Sequence, residues 1–269
     1  MIKHKSNYVA KLPDENNWIA YTEEENKTWQ FLIHRQMEVV QNRACDAYLQ
    51  GLKLLNMPSD RIPQCLEISA AMGDATGWSV EPVPALIPEN EFFALLAARK
   101  FPAASFIRRQ DEIDYLKEPD IFHEYFGHCP MLTDSRCADF MQCYGEIALK
   151  ANSLDRSYLA RLYWFTVEFG LIQTKDGIRI YGGGILSSKG ETVYCLEDNK
   201  VIRKPFDIIE ALRTPYRIDI MQPIYFVIQD FSELYRLTEI DLLAKIHLAQ
   251  DLGDYSPMFP GETSGIVAC

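Results

Sequence analysis

The chain has no run of about 18 uninterrupted apolar residues, so no segment of it reads as a membrane span. Met1 to Asn17 is polar with scattered lysines and lacks an apolar core segment, which argues against a secretory signal. Basic residues are in deficit: 27 Lys and Arg face 38 Asp and Glu, a formal charge of −11. Nucleic-acid affinity comes largely from Lys and Arg displacing counterions from phosphates, so no nucleic-acid partner is expected. Regular cysteine pairing is missing too. The seven cysteines are odd in number and irregularly spaced, and Cys129, Cys137 and Cys143 form no C-x-x-C knuckle. Reduced, mostly buried thiols follow, in a cytoplasmic protein without a membrane anchor. Internal repeats, low-complexity tracts and linkers are absent from the sequence.

What is present is an ordinary globular composition, 48% hydrophobic and 24% charged, in a chain long enough to bury a deep site. Apolar residues from Trp29 to Leu55 recur at helical intervals, predicting one long amphipathic helix over Glu23 to Leu55. The same periodicity predicts helices over Arg61 to Met72, Glu89 to Arg99, Cys137 to Ala151, Ser157 to Gly170, Pro205 to Leu212 and Thr238 to Leu248. Pro119-Asp120 announces another helix, with Asp120 as its cap and Ile121 as its first residue. Gly177 to Tyr181 and Glu191 to Leu196 are β-branched or aromatic runs around a Gly/Ser-rich connector, which predicts a small hairpin. The fold class is therefore mainly α: a single helical domain over residues 18–254 with a few short strands. A polar segment, 1–17, precedes it and a tail, 255–269, follows.

Two histidines open the chemistry. His123-Glu124-Tyr125-Phe126-Gly127-His128 resembles the zinc-protease pattern H-E-x-x-H, but the spacing is i and i+5. Five residues turn an α-helix by about 140°, so both imidazoles meet one ion only by flanking it, or if Gly127 distorts the last turn. The second signal is Glu168. Between Ser157 and Ile172 the only charged residues are Arg161 and Glu168, in an apolar, aromatic helix. A lone carboxylate there needs a cation. Arg161 is two turns and about 10 Å away along the axis. A metal held by His123, His128 and Glu168 supplies that cation, as in non-haem iron sites; an ion pair with Arg108 or Arg109 is the alternative. A zinc hydrolase with Glu124 as general base, and a helical module that binds without turnover, are the rival functions at this point.

Three segments carry a more specific signal: Pro119 to Pro130, Tyr163 to Gly170, and Gly182 to Ser188. In this order they resemble the tetrahydropterin-dependent aromatic amino acid hydroxylases, over about Trp18 to Pro223. The resemblance implies Fe(II) rather than zinc, with His123, His128 and Glu168 as ligands, and a tetrahydropterin and O2 as further requirements. It implies a pterin pocket of Phe92, Ile87, Ala160 and Tyr163, with Glu124 on the pterin side of the metal. For an amino acid substrate it implies Arg108 at the α-carboxylate, a task suited to a planar guanidinium fork. Pro119, Trp164, Phe169, Gly184 and Ser187 would complete that pocket.

Trp164 and Ile218 match the members that act on L-phenylalanine, so phenylalanine 4-hydroxylation to tyrosine is the implied reaction. Departures from the family pattern are Ala85, Glu89 and Leu116. The glycine run is not a phosphate cradle, since it lacks the lysine and following helix of a P-loop. Without a regulatory domain before Pro13 or heptads after Tyr255, a monomer or homodimer is expected.

Overall fold

The structure is a computed structural model, and it describes residues 8–84, 87–114 and 118–259. Helices dominate, as the periodicity predicts; a large hydrophobic core runs from Trp29 to Ala249, and a smaller cluster of Phe165, Ala211, Tyr216, Ile224 and Phe226 packs against Trp164. Ala85 and Leu116 lie outside the described residues.

The long N-terminal helix is two helices, Glu23–Val39 and Asp46–Leu55. Asn42 adopts a left-handed φ of 59° in the break. The freed backbone is not lost to solvent: Cys45 N–H donates to Ile180 O, and Ile180 N–H donates to Arg43 O. Apolar periodicity continues across the break because both helices face one core. The next helix begins at Cys65 rather than Arg61, where Gln64 and Glu67 form a reciprocal capping box.

Among the described residues, six strands position the rest. β1 (Ser79–Val83) and β2 (Lys100–Ala104) pair in parallel, joined by a crossover that contains helix Glu89–Ala97. That crossover buries Phe92 and Phe93 inward. β3 (Leu171–Thr174), β4 (Gly177–Ile180), β5 (Ile202–Pro205) and β6 (Ile224–Ile228) form a sheet of order β4-β3-β6-β5.

The expected hairpin is real at one strand and wrong at the other. Gly177–Ile180 pairs antiparallel with Leu171–Thr174, turning through Gly177 at φ 101°. Glu191 to Leu196 is helical, within Lys189–Glu197, because Ser188 caps it and Glu191, Thr192 and Cys195 bury one helical face. The all-buried strand Ile224–Ile228 escaped periodicity, since a strand covered on both faces does not alternate. Helices over 208–213 and 242–252 replace the predicted 205–212 and 238–248. The six described cysteines are free thiols, and among the described residues no helix is long and apolar enough to cross a membrane.

Candidate metal centre

Asp120 caps the histidine helix as the sequence predicts, its Oδ1 accepting from His123 N–H at 3.0 Å. The helix then departs from α geometry. His123–His128 is π-helical, with Cys129 N–H donating to Glu124 O at 3.2 Å, five residues back. Closing the turn at i+5 brings residues five apart round to one face, and the two histidine Nε2 atoms stand 3.0 Å apart. Glu168 ends a second π-helical turn, Trp164–Glu168, in which Phe169 N–H donates to Trp164 O at 2.8 Å. The i, i+5 spacing that weakened an α-helical metal site is therefore the natural spacing here.

Glycines let these turns close. A Cβ on Gly127 would lie 2.6 Å from Gly183 O, and one on Gly183 would lie 2.5 Å from His128 Nδ1. The glycine run is a short helix, Gly183–Leu186, packed against the ligand segments. Its Gly184 N–H donates to the Glu168 carboxylate.

His123, His128 and Glu168 each offer one donor atom, and these atoms lie within 4.8 Å of one another. Glu168 Oε1 is 3.2 Å from His128 Nε2, and Oε2 is 3.8 Å from His123 Nε2. The donors suit a small divalent ion. Two imidazoles and one carboxylate are the donor set of non-haem iron sites.

Protonation agrees. Burial pushes His123 down to about 4, against the pull of Glu168, so its imidazole is neutral at pH 7. Its Nδ1 lies 2.8 Å from Ser187 Oγ, which also donates to Gly184 O at 3.4 Å. With the hydroxyl hydrogen engaged there, Nδ1 carries the ring proton and Nε2 presents its lone pair. Burial opposes ionisation of Glu168, but His128 and His123 outweigh it and hold the carboxyl below its ordinary range. Glu124 is the opposite case. Burial, then Glu168 and Asp120, push its carboxyl well up, and it lies outside the three-residue cluster.

Arg108 is not a solvated arginine. It is 7% exposed, and its Nε and Nη2 grip Asp120 at 2.8 and 2.9 Å. The alternative of an Arg108–Glu168 pair is thereby removed. Arg109 pairs with Asp111 and Glu112, and Arg161 with Asp254. The Asp120 carboxylate reaches both Arg108 and the His123 backbone, so one buried anion ties the proposed substrate arginine to the metal helix.

Phe92 packs edge-on against Tyr163 at 6.1 Å between ring centroids, which brings two of the expected pterin residues together. Ile87 is half-buried on the same core and Ala160 lies one helical turn before Tyr163. Trp164 stacks between Phe169 at 4.4 Å and Tyr216 at 4.5 Å, and a Cβ on Gly184 would touch both Phe169 and Glu168 Oε2. Ser187 Oγ lies against the Nδ1 of His123. Pro119 is half-buried beside Asp120. Sequence reasoning missed Asp120 as the partner of Arg108, and it missed Tyr216, Gln222 and Glu191 behind Trp164. Only Asp120 left a signal, a buried-type carboxylate twelve residues from an arginine.

Two π-helical turns gather two imidazoles and a carboxylate into one cluster that could hold a single metal ion. Residues 4–240 match the model of the biopterin-dependent aromatic amino acid hydroxylase family. The chain belongs to that family. It is 53% identical to phenylalanine-4-hydroxylase of Pseudomonas aeruginosa over 94% of this chain and 96% of that one. The apo structure of the cold-active phenylalanine hydroxylase of Colwellia psychrerythraea superposes with a TM-score of 0.92 at 52% identity, covering 94% of this chain and 98% of the other. The phenylalanine hydroxylase of Chromobacterium violaceum with bound oxidised Fe(III) superposes at 0.86 with 42% identity, covering 91% and 89%.

Proposed function

We propose that this chain is a phenylalanine 4-monooxygenase, converting L-phenylalanine to L-tyrosine with O2 and a tetrahydropterin at a mononuclear Fe(II). The observation that carries the reading is the three-donor cluster of His123, His128 and Glu168 inside a fold shared with phenylalanine hydroxylases. These three residues would hold the iron, leaving one face of the ion open. Iron and pterin, when bound, supply the activation of O2; the protein supplies orientation and water exclusion.

The remaining roles are those the family resemblance implies, and the packing around the cluster supports them. Arg108, its fork half-occupied by Asp120, has Nη1 left for the substrate α-carboxylate. Trp164 and Phe169 give the substrate ring an aromatic wall, with Pro119, Gly184 and Ser187 completing the pocket. Phe92, Ile87, Ala160 and Tyr163 form the pterin surface, with Glu124 on the pterin side of the metal. The catalytic unit spans 18–254, acts in the cytoplasm and works as a monomer or homodimer, which sedimentation would distinguish.

The test is tyrosine formation by the Fe(II)-loaded protein with phenylalanine, a tetrahydropterin and O2, with zinc-loaded protein as control. Iron- and pterin-dependent tyrosine is expected. Glu168→Ala is expected to abolish it and to weaken iron binding; a variant that keeps both would sink the ligand assignment.

A further inference from the structure

Trp164 is anchored at one polar atom. Its Nε1–H donates to Gln222 Oε1 at 3.0 Å. Gln222 is 1% exposed, and its amide can face only one way. Both hydrogens of Nε2 are committed to backbone carbonyls, Arg217 O and Ile220 O, each at 2.8 Å. A flipped amide would set its oxygen against two carbonyl oxygens and its NH2 against the indole N–H, so the acceptor must point at Trp164.

A second buried group holds Gln222 in turn. Gln222 N–H donates to Glu191 Oε1 at 3.0 Å, and the same oxygen accepts a short hydrogen bond from the Tyr225 hydroxyl. Glu191 is 5% exposed and stands at the start of helix Lys189–Glu197, which follows the glycine turn beneath the metal site. The path is continuous: Glu191, Gln222, the indole of Trp164, then the Phe169 ring, whose edge and the Glu168 carboxylate both crowd Gly184 too closely for a Cβ. The indole stacks on Tyr216 and lies tilted at 31° to Phe169, contacts that hold its plane, and the hydrogen bond to Gln222 is the directional contact that fixes its position within that plane.

We propose that Gln222, held by Glu191, is a positioning residue that sets the register of Trp164 against the substrate ring, and so the ring position presented to the metal. This inference rests on the substrate reading above. Gln222 touches no substrate; it acts through Trp164. An enzyme that oxidises one carbon of a ring must hold that ring to within a fraction of an ångström. Loss of register should therefore divert turnover into pterin oxidation that yields no tyrosine.

The experiment is a double-substitution cycle on the full-length Fe(II)-loaded protein, comparing Gln222→Met with Trp164→benzothienylalanine. The second replaces only the indole N–H by sulfur and leaves the loop carbonyl bonds intact, so it decides the matter should Gln222→Met fold poorly. Each single change should raise the KM for phenylalanine about 3- to 10-fold, the range for one lost hydrogen bond, with kcat within about twofold. Each should also lower the tyrosine formed per pterin oxidised. Gln222→Met placed on the benzothienylalanine background should add less than about a twofold change. Glu191→Gln keeps an acceptor for Gln222 N–H and should retain the wild-type product ratio.

A readout without turnover is the indole N–H resonance of Trp164 in the zinc-loaded chain, which should move upfield in Gln222→Met. Additive effects in the cycle, or a benzothienylalanine variant with wild-type KM and product ratio, would overturn the inference alone. Wild-type protein that forms no tyrosine would overturn the substrate reading and this inference with it.

Discussion

Replacing Asp120 by alanine tests whether the Arg108–Asp120 pair is the pivot of the site. The Asp120 carboxylate, fully buried, accepts from Arg108 N at 3.0 Å, Arg108 Nε at 2.8 Å, Arg108 Nη2 at 2.9 Å and His123 N at 3.0 Å. Its removal strands a 7% exposed guanidinium and uncaps the metal helix. Breaking a buried pair on one side costs about 3–5 kcal/mol. For a chain of this length each kcal/mol is worth about 2 °C, so Tm should fall by about 6–10 °C. The control is Asp254→Asn at the Arg161 pair, where the aspartate side chain is 42% exposed and the expected loss is about 0–1 kcal/mol.

The acid limb follows in sign. Burial raises the Asp120 carboxyl, but the charge and hydrogen bonds of Arg108 outweigh it and hold its pKa below the ordinary 3.8. A depressed folded pKa contributes stability that is present above 3.8 and lost as pH falls through the folded value. The Tm gap between wild type and Asp120→Asn should therefore be widest near neutrality and narrow in acid below 3.8. Thermal melts followed by circular dichroism, with phenylalanine affinity by calorimetry, give both numbers. An Asp120→Ala loss no larger than that of Asp254→Asn, with unchanged phenylalanine affinity, would refute the reasoning.

Ser187→Ala removes the partner of His123 Nδ1 and should weaken Fe(II) affinity about 10- to 100-fold in a chelator competition, while Tm of the metal-free protein changes little. Gly184→Ala would place a Cβ 2.7 Å from Glu168 Oε2, so Fe(II) binding and tyrosine formation should both drop; wild-type affinity would show that the ligand can retreat. Chelation should lower Tm and refilling restore it, by about 4 kcal/mol when free Fe(II) is 1,000 times its Kd, because the ion binds only the folded cluster. A Tm independent of iron would argue against His123, His128 and Glu168 as the site.

The sequence by itself determined which residues could do chemistry. His123 and His128 stand in a capped segment, and Glu168 is a lone carboxylate in an apolar stretch; burial economics alone call for a cation there. Asp120 as a cap and the mainly helical class were legible for the same reason: caps and apolar period are local patterns. Tertiary structure decided the rest. Whether Glu23 to Leu55 is one helix or two depends on Ile180 arriving to bond the break, and whether Glu191 to Leu196 is strand or helix depends on which face it buries. The i, i+5 spacing brings the two imidazoles together only because Gly127 and Gly183 let two backbones approach and the turn widens to π. Gln222 reaches Trp164 across 58 positions, and no local propensity encodes such a contact. Residue chemistry is written locally, whereas register and partnership exist only once distant segments pack.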